Sequence, residues 1–192
     1  RVACYKIGML LLQKKHPRLA RRLQYVRDLM PSQGVFKAEE FDAVLKSLPE
    51  RISRREIRAR LGPAFEDRLV PVFASHSDPG RYTIRDVVTF GVSECERSRL
   101  AADLLDRRDL DGFGEMVLVS HDGDRVNGSP AARGAASAGR KAEDLWRMTG
   151  AYGCSTPNID RLVDLATGVP GVYGAQLAGA GLGGCVTILA RQ

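Results

Sequence analysis

Near its C-terminal end the chain carries Gly179-Ala180-Gly181-Leu182-Gly183-Gly184, four glycines in six positions. Backbone this bare does one of two things. It takes up positive φ or passes close to a neighbouring element, as in a tight β-connection, or its successive N–H groups form a nest that cradles an anion such as phosphate. The spacing satisfies G-x-G-x-x-G, but the dinucleotide fingerprint must open a helix in a βαβ unit, with an acidic residue about 20 positions on. Here only 185–192 follow, and Val186, Thr187 and Ile188 read as a strand. A P-loop is excluded too, because no Lys-Ser or Lys-Thr follows the glycines.

Other residues with chemical potential are sparser. His121 lies at the end of a helical pattern, where one histidine is either a base or a structural cap. Asp122 and Asp124 read as a solvated turn rather than a metal-binding carboxylate pair. Cys4, Cys95, Cys154 and Cys185 form no C-x-x-C pair and have no histidine at ligand spacing, so no metal site is expected; an even count would allow two disulfides, but the four read as buried thiols in a reducing, cytoplasmic setting. Arg51, Arg54, Arg55, Arg58 and Arg60 read as a solvated helix face, with no aromatic alternation to stack single-stranded nucleic acid.

These residues need elements to hold them. Cys4, Ile7 and Leu11, then Leu19, Leu23, Val26 and Met30, follow the rhythm of two helices broken at Pro17. Phe41, Leu45 and Leu48 mark another helix. Ser53 with Glu56 forms a capping box for a further one, stopped by Gly62. Residues 63–82 read as loop with a short strand at Leu69–Phe73. A long helix from Thr83 through Leu105 and a second over Asp109–Ser120 are expected to pack as a hairpin. From 122 to 141 the composition shifts to Gly, Ala, Ser and Arg, which reads as a flexible insertion. Thr156 and Pro157 start a helix whose buried face is Ile159, Leu162, Val163 and Ala166, and Gly168 stops it. Val172–Leu177, the glycines and Cys185–Ala190 then read as strand, turn, strand. The fold class expected is α+β, helices packed on a small antiparallel sheet.

The 192 residues include 23 Arg and 6 Lys against 23 acidic residues, a formal charge of +6, with 44% hydrophobic and 6% aromatic content. That excludes disorder and a disulfide scaffold, and it allows a real core. No run of about 18 apolar residues occurs, so no membrane association is expected. The spread of arginines along the chain argues against a nucleic-acid partner.

Gly171-Val172-Tyr173-Gly174-Ala175-Gln176-Leu177-Ala178 and the glycines after it, through Cys185, resemble the third, C-terminal motif of the GHMP kinases in its galactokinase form, PGVYGAR(M/L)TGGGFGGC. Pro170 precedes the motif. Cys154 to Val163 resembles the stretch SCPELDxLV, Phe113-Gly114-Glu115-Met116 through Ser120-His121 resembles FGxLMxxSH, and Val87 through Arg97 is similar to HVVxENxRV. Arg1–Cys4 and Ser47–Glu50 are weakly similar to an earlier family segment and to the L-arabinokinase-like branch. Gln176 stands where the family has Lys or Arg, and Ala178 where it has Thr.

The resemblance implies a ferredoxin-like GHMP C-terminal domain over 1–192, with a helical N-terminal part (1–62) and the insertion at 122–141. The implied parent is an ATP- and Mg-dependent kinase that phosphorylates a monosaccharide, galactose first, at the anomeric hydroxyl. On this reading Gly179, Ala180, Gly181, Leu182, Gly183 and Gly184 lie beside the ATP phosphates and the sugar, and Tyr173, Gln176 and His121 are substrate-adjacent. No catalytic residue is expected in this chain. The Ser-rich phosphate motif and the catalytic Asp of the N-terminal ATP-binding half find no match in it, so the chain is expected to bind no cofactor and to be inactive alone, reaching sugar and ATP through that half. The alternative is a non-catalytic sugar- or nucleotide-sensing or interaction module on the same fold.

Overall fold

The computed structural model describes residues 1–126, 142–179 and 184–191. They form two compact units, one of residues 1–92 and one of most residues from Ser93 onward.

The first unit is built on α1 (Val2–Lys15), which buries Cys4, Ile7, Met9, Leu10 and Leu12. The second helix expected from Leu19 to Met30 is instead a run of 3-10 turns, Pro17–Arg22, Val26–Leu29 and Pro31–Gln33. Pro17 and Pro31 open two of these turns, and their missing N–H groups and fixed φ favour short pieces over a continuous ladder. Next come α2 (Phe41–Lys46), the two-residue strand β1 (Arg51–Ile52) and α3 (Arg54–Leu61). The α3 cap is the expected box. The Glu56 carboxylate accepts the Ser53 N–H at 2.8 Å, and the Ser53 hydroxyl accepts the Glu56 N–H at 3.3 Å.

The strand expected at Leu69–Phe73 is a helix, α4 (Glu66–Ala74), that continues through Pro71. Leu69, Val72 and Phe73 are buried at i, i+3 and i+4, and that period prevails over the proline signal. The arginine face of α3 is also not wholly solvated. Arg54 is half-buried, stacks over Phe73 at 4.9 Å and donates to Tyr82 Oη and the His76 carbonyl, both at 2.9 Å. β2 (Tyr82–Thr83) pairs antiparallel with β1 and leads into α5 (Arg85–Asp106). At its start α5 crosses α1 closely: a Cβ on Gly8 would lie 2.6 Å from Val88 Cγ2, and one on Gly91 would lie 2.5 Å from the Tyr5 ring.

The second unit contains α6 (Leu110–Asp124), α7 (Pro157–Thr167), β3 (Val172–Ala178) and β4 (Cys185–Ala190). It is α+β, with α6 and α7 packed on an antiparallel β3–β4 hairpin. The pairing runs from Val172 opposite Ala190 to Ala178 opposite Cys185, with a bulge between Val172 and Gly174. α6 packs on β3, and Glu94 and Arg97 of α5 stand close enough to act on Asp124 near its C-terminal end. α6 also runs on through Asp124, so the segment expected to be loop from 122 begins as helix; 127–141 lie outside the described residues. On α7, Ile159 and Val163 are buried as expected, but Leu162 is 46% exposed and belongs to the solvent side.

Candidate functional site

Glycine brings α6 and β3 together. A Cβ on Gly114 would overlap the Tyr173 carbonyl, and one on Gly174 would lie 2.5 Å from the Gly114 oxygen, so the two backbones touch where neither residue can carry a side chain. The contact sets the height of β3 over the helix, and β3 runs from there to the glycine-rich loop.

The C-terminal turn of α6 is closed from a distance. Its Gly123 carbonyl accepts the N–H groups of Tyr152 (2.7 Å) and Gly153 (3.1 Å), and its Asp124 carbonyl accepts that of Ser155 (2.9 Å). Orphan carbonyls at a helix end need partners, and 152–155 supplies them. The same segment brings the Cys154 thiol to Asp124, donating to Oδ1 at 3.2 Å. Burial pushes the Asp124 carboxyl up to about 6 despite the thiol. Arg97 of α5, 3% exposed, stands near, donating to the Trp146 carbonyl at 2.6 Å and to Glu94 Oε1 at 2.6 Å.

His121 is fully buried on the same helix. Its Nδ1 accepts the Leu177 N–H at 3.2 Å, and its Nε2 lies 3.4 Å from Asp160 Oδ1 on α7. Burial first, and Arg125 second, hold this imidazole below its ordinary value, with Asp160, Asp122 and Asp164 pulling the other way. It is neutral at pH 7.

Of the residues expected at the site, Gly179 adopts φ +83° and has open space around a would-be Cβ, so its need for glycine is conformational. Gly184 is exposed at the other rim, and the Ala178–Cys185 pairing holds the rims together. Ala180, Gly181, Leu182 and Gly183 lie outside the described residues. Gln176 is half-buried opposite Thr187, three residues before the loop. Tyr173 is about 20 Å along the strand from Gly179 at the usual strand rise; its hydroxyl engages Arg191, whose guanidinium it holds above the ordinary value. Loop and Gln176 therefore share one end of the hairpin, with His121 beneath it and Tyr173 at the other end. Among the described residues no three His, Cys, Asp or Glu side chains gather as a metal site. Asp124, expected in a solvated turn, is instead in the last turn of α6 beside the Cys154 thiol. The sequence assigns Asp160 and Arg97 no role of their own, and their one signal is that each falls inside a family-like stretch.

Residues 101–192 match the family model described as GHMP kinases C terminal. That span contains α6, α7 and the hairpin. The span is similar to the C-terminal domain of the GHMP kinases. Human galactokinase is 33% identical over 98 residues, which is 51% of this chain and 19% of that protein. Galactokinase of Roseiflexus sp. is 30% identical over 156 residues, 81% of this chain and 32% of the relative. Galactokinase of Enterococcus faecalis is 33% identical over 102 residues, 53% of this chain and 20% of the relative. The chain thus spans a third or less of these relatives' length. Within residues 101–192 the touching pair Gly114 and Gly174, the buried His121 and the Cys154–Asp160 segment all come from the stretches that resemble galactokinases.

Proposed function

We propose that the GHMP domain forms one wall of the catalytic cleft of a galactokinase-like sugar kinase, and that the whole enzyme transfers the γ-phosphoryl group of Mg-ATP to the anomeric hydroxyl of a monosaccharide, galactose first. Phosphoryl transfer of this kind is chiefly positioning and charge stabilisation. The domain contributes a rigid hairpin that presents its glycine loop, 179–184, as bare backbone beside the phosphates and the sugar. A Ser-rich phosphate motif and a catalytic carboxylate come from sequence other than these 192 residues. Four cysteines kept as thiols fit a cytoplasmic setting.

The observation that supports this best is the convergence of separate motif-like stretches on one hairpin. α6 meets β3 through Gly114 and Gly174, α7 meets it through Asp160 and His121, and β3 ends at the loop. The test is ATP-dependent phosphorylation of galactose, followed by phosphorus NMR of the product. The 192 residues alone are expected to show no turnover, and the complete parent enzyme to yield the sugar 1-phosphate. Turnover by the 192 residues overturns the division of labour, and a parent enzyme that makes no sugar phosphate overturns the kinase reading.

Gln176 and Ala178 favour a second reading, a sugar- or nucleotide-sensing module. They remove a basic side chain and a hydroxyl at positions where galactokinases carry them, while leaving the glycine backbone. Galactose binding without phosphorylation by the parent enzyme would mark it.

A further inference from the structure

The β3 backbone has two edges. One pairs with β4, and at Leu177, directly opposite Val186, the N–H points away from that ladder and into the helices, where His121 Nδ1 receives it. Accepting that bond fixes the imidazole chemically. A ring nitrogen that accepts a backbone N–H carries no proton, so in the neutral ring the proton sits on Nε2. Nε2 faces Asp160 Oδ1, 3.4 Å away; both atoms are shut off from solvent, and among the described residues neither has another hydrogen-bonding partner. A buried carboxylate oxygen is costly to leave unpaired, and here its one counterpart is the Nε2–H that the tautomer demands. The chain of contact runs from α7 through the imidazole on α6 to the strand, and it ends two residues before Gly179, whose φ of +83° starts the loop.

We propose that His121 is a positioning residue: locked by Asp160 in the Nε2–H tautomer, it clamps β3 at Leu177 and so sets the direction in which the chain enters the glycine-rich loop. The value of this clamp to a kinase rests on the function proposed above; the clamp itself does not. A histidine that merely fills space would give the same burial but would impose neither a tautomer nor a bond to the strand.

The unsubstituted chain provides the first test. A nitrogen–nitrogen coupling across the hydrogen bond, from the Leu177 amide to His121 Nδ1, is expected in NMR spectra of the labelled 192-residue protein, together with ring nitrogen shifts of the Nε2–H form. A ring protonated on Nδ1, or no coupling, overturns the proposal without any variant having to fold. Substitution provides the second. His121→Leu is expected to speed hydrogen exchange at the Leu177 amide about tenfold, the effect of losing one net hydrogen bond, and to shift the Gly179 and Gly184 resonances. His121→Asn, which returns an acceptor near the Nδ1 position, is expected to restore both. Leucine and asparagine variants that fold and exchange alike at Leu177 would reduce His121 to filler. None of these readouts measures phosphorylation, so failure of the clamp and failure of the kinase reading are distinguishable.

Discussion

Asp124 and His121 lie three residues apart on α6, and burial moves them in opposite directions along the pH scale. The unfolded imidazole takes a proton near 6.5, whereas the folded one resists it. Its contribution to stability is therefore full above that pH and is lost as pH falls. Asp124 is the reverse case. Its folded carboxyl holds a proton up to about 6, against an ordinary 3.8. The folded state thus gains relative stability below about pH 4 and loses it as pH rises through 6. Asp124→Asn keeps an acceptor for the Cys154 thiol and removes the ionisation. It is expected to raise the thermal midpoint at neutral pH, leave it unchanged below about pH 4, and steepen the net fall in stability toward acid. Equal shifts at both pH values would show that the carboxyl is not being held protonated. The residue reading of Asp122 and Asp124 as a solvated turn failed because the closing partners are distant: amides from 152–155 extend the helix past the point where an Asp-Gly-Asp composition suggests a stop.

At the scale of elements, the glycines of the second unit separate into two kinds with different costs. Gly114→Ala drives a methyl into the backbone of β3, where no side chain can swing aside. A loss of about 3 kcal/mol, the upper part of the overpacking range, is expected in urea unfolding. Gly179→Ala meets nothing within 4 Å and bears only the left-handed conformation, about 1 kcal/mol. Thr156→Ala removes the side-chain cap of α7, which accepts the Ile159 N–H at 3.3 Å, and is expected to cost about 1 kcal/mol as well. If Gly114→Ala were no worse than Gly179→Ala, the close approach of α6 to β3 would be wrong. Elements fixed by neighbours in sequence were legible from the start, such as the Ser53–Glu56 box, the Thr156-Pro157 start of α7 and the two strands around the glycines. Elements decided by tertiary packing were not. The period of Leu69, Val72 and Phe73 competed with a proline inside it, and nothing local distinguishes the 3-10 turns of 17–33 from a helix with the same apolar spacing. The candidate site divided in the same way. Its glycine loop is a contiguous word in the chain, whereas the His121–Leu177 bond joins residues 56 apart.

Over the whole molecule, several of the arginines behind the +6 charge are engaged within the fold. Arg54 and Arg58 stack on Phe73, Arg85 fastens the carbonyls of Lys46 and Leu48, and Arg125 bridges Asp122 and Asp164. The thiols show a similar gradation. Of the cysteines expected as buried thiols only Cys4 is buried; Cys95 and Cys154 are intermediate, and Cys185 is exposed. Brief treatment of the folded protein with iodoacetamide is expected to modify Cys185 first and Cys4 last, as read by peptide mass spectrometry; early modification of Cys4 would contradict the packing of α1. Because Cys185 immediately follows Gly184 and faces Ala178 across the hairpin, the fastest-reacting sulfur stands at the mouth of the glycine loop. The fold thereby comes with a built-in attachment point for an environment-sensitive dye, whose emission would report on the sugar and nucleotide sites proposed for the parent enzyme.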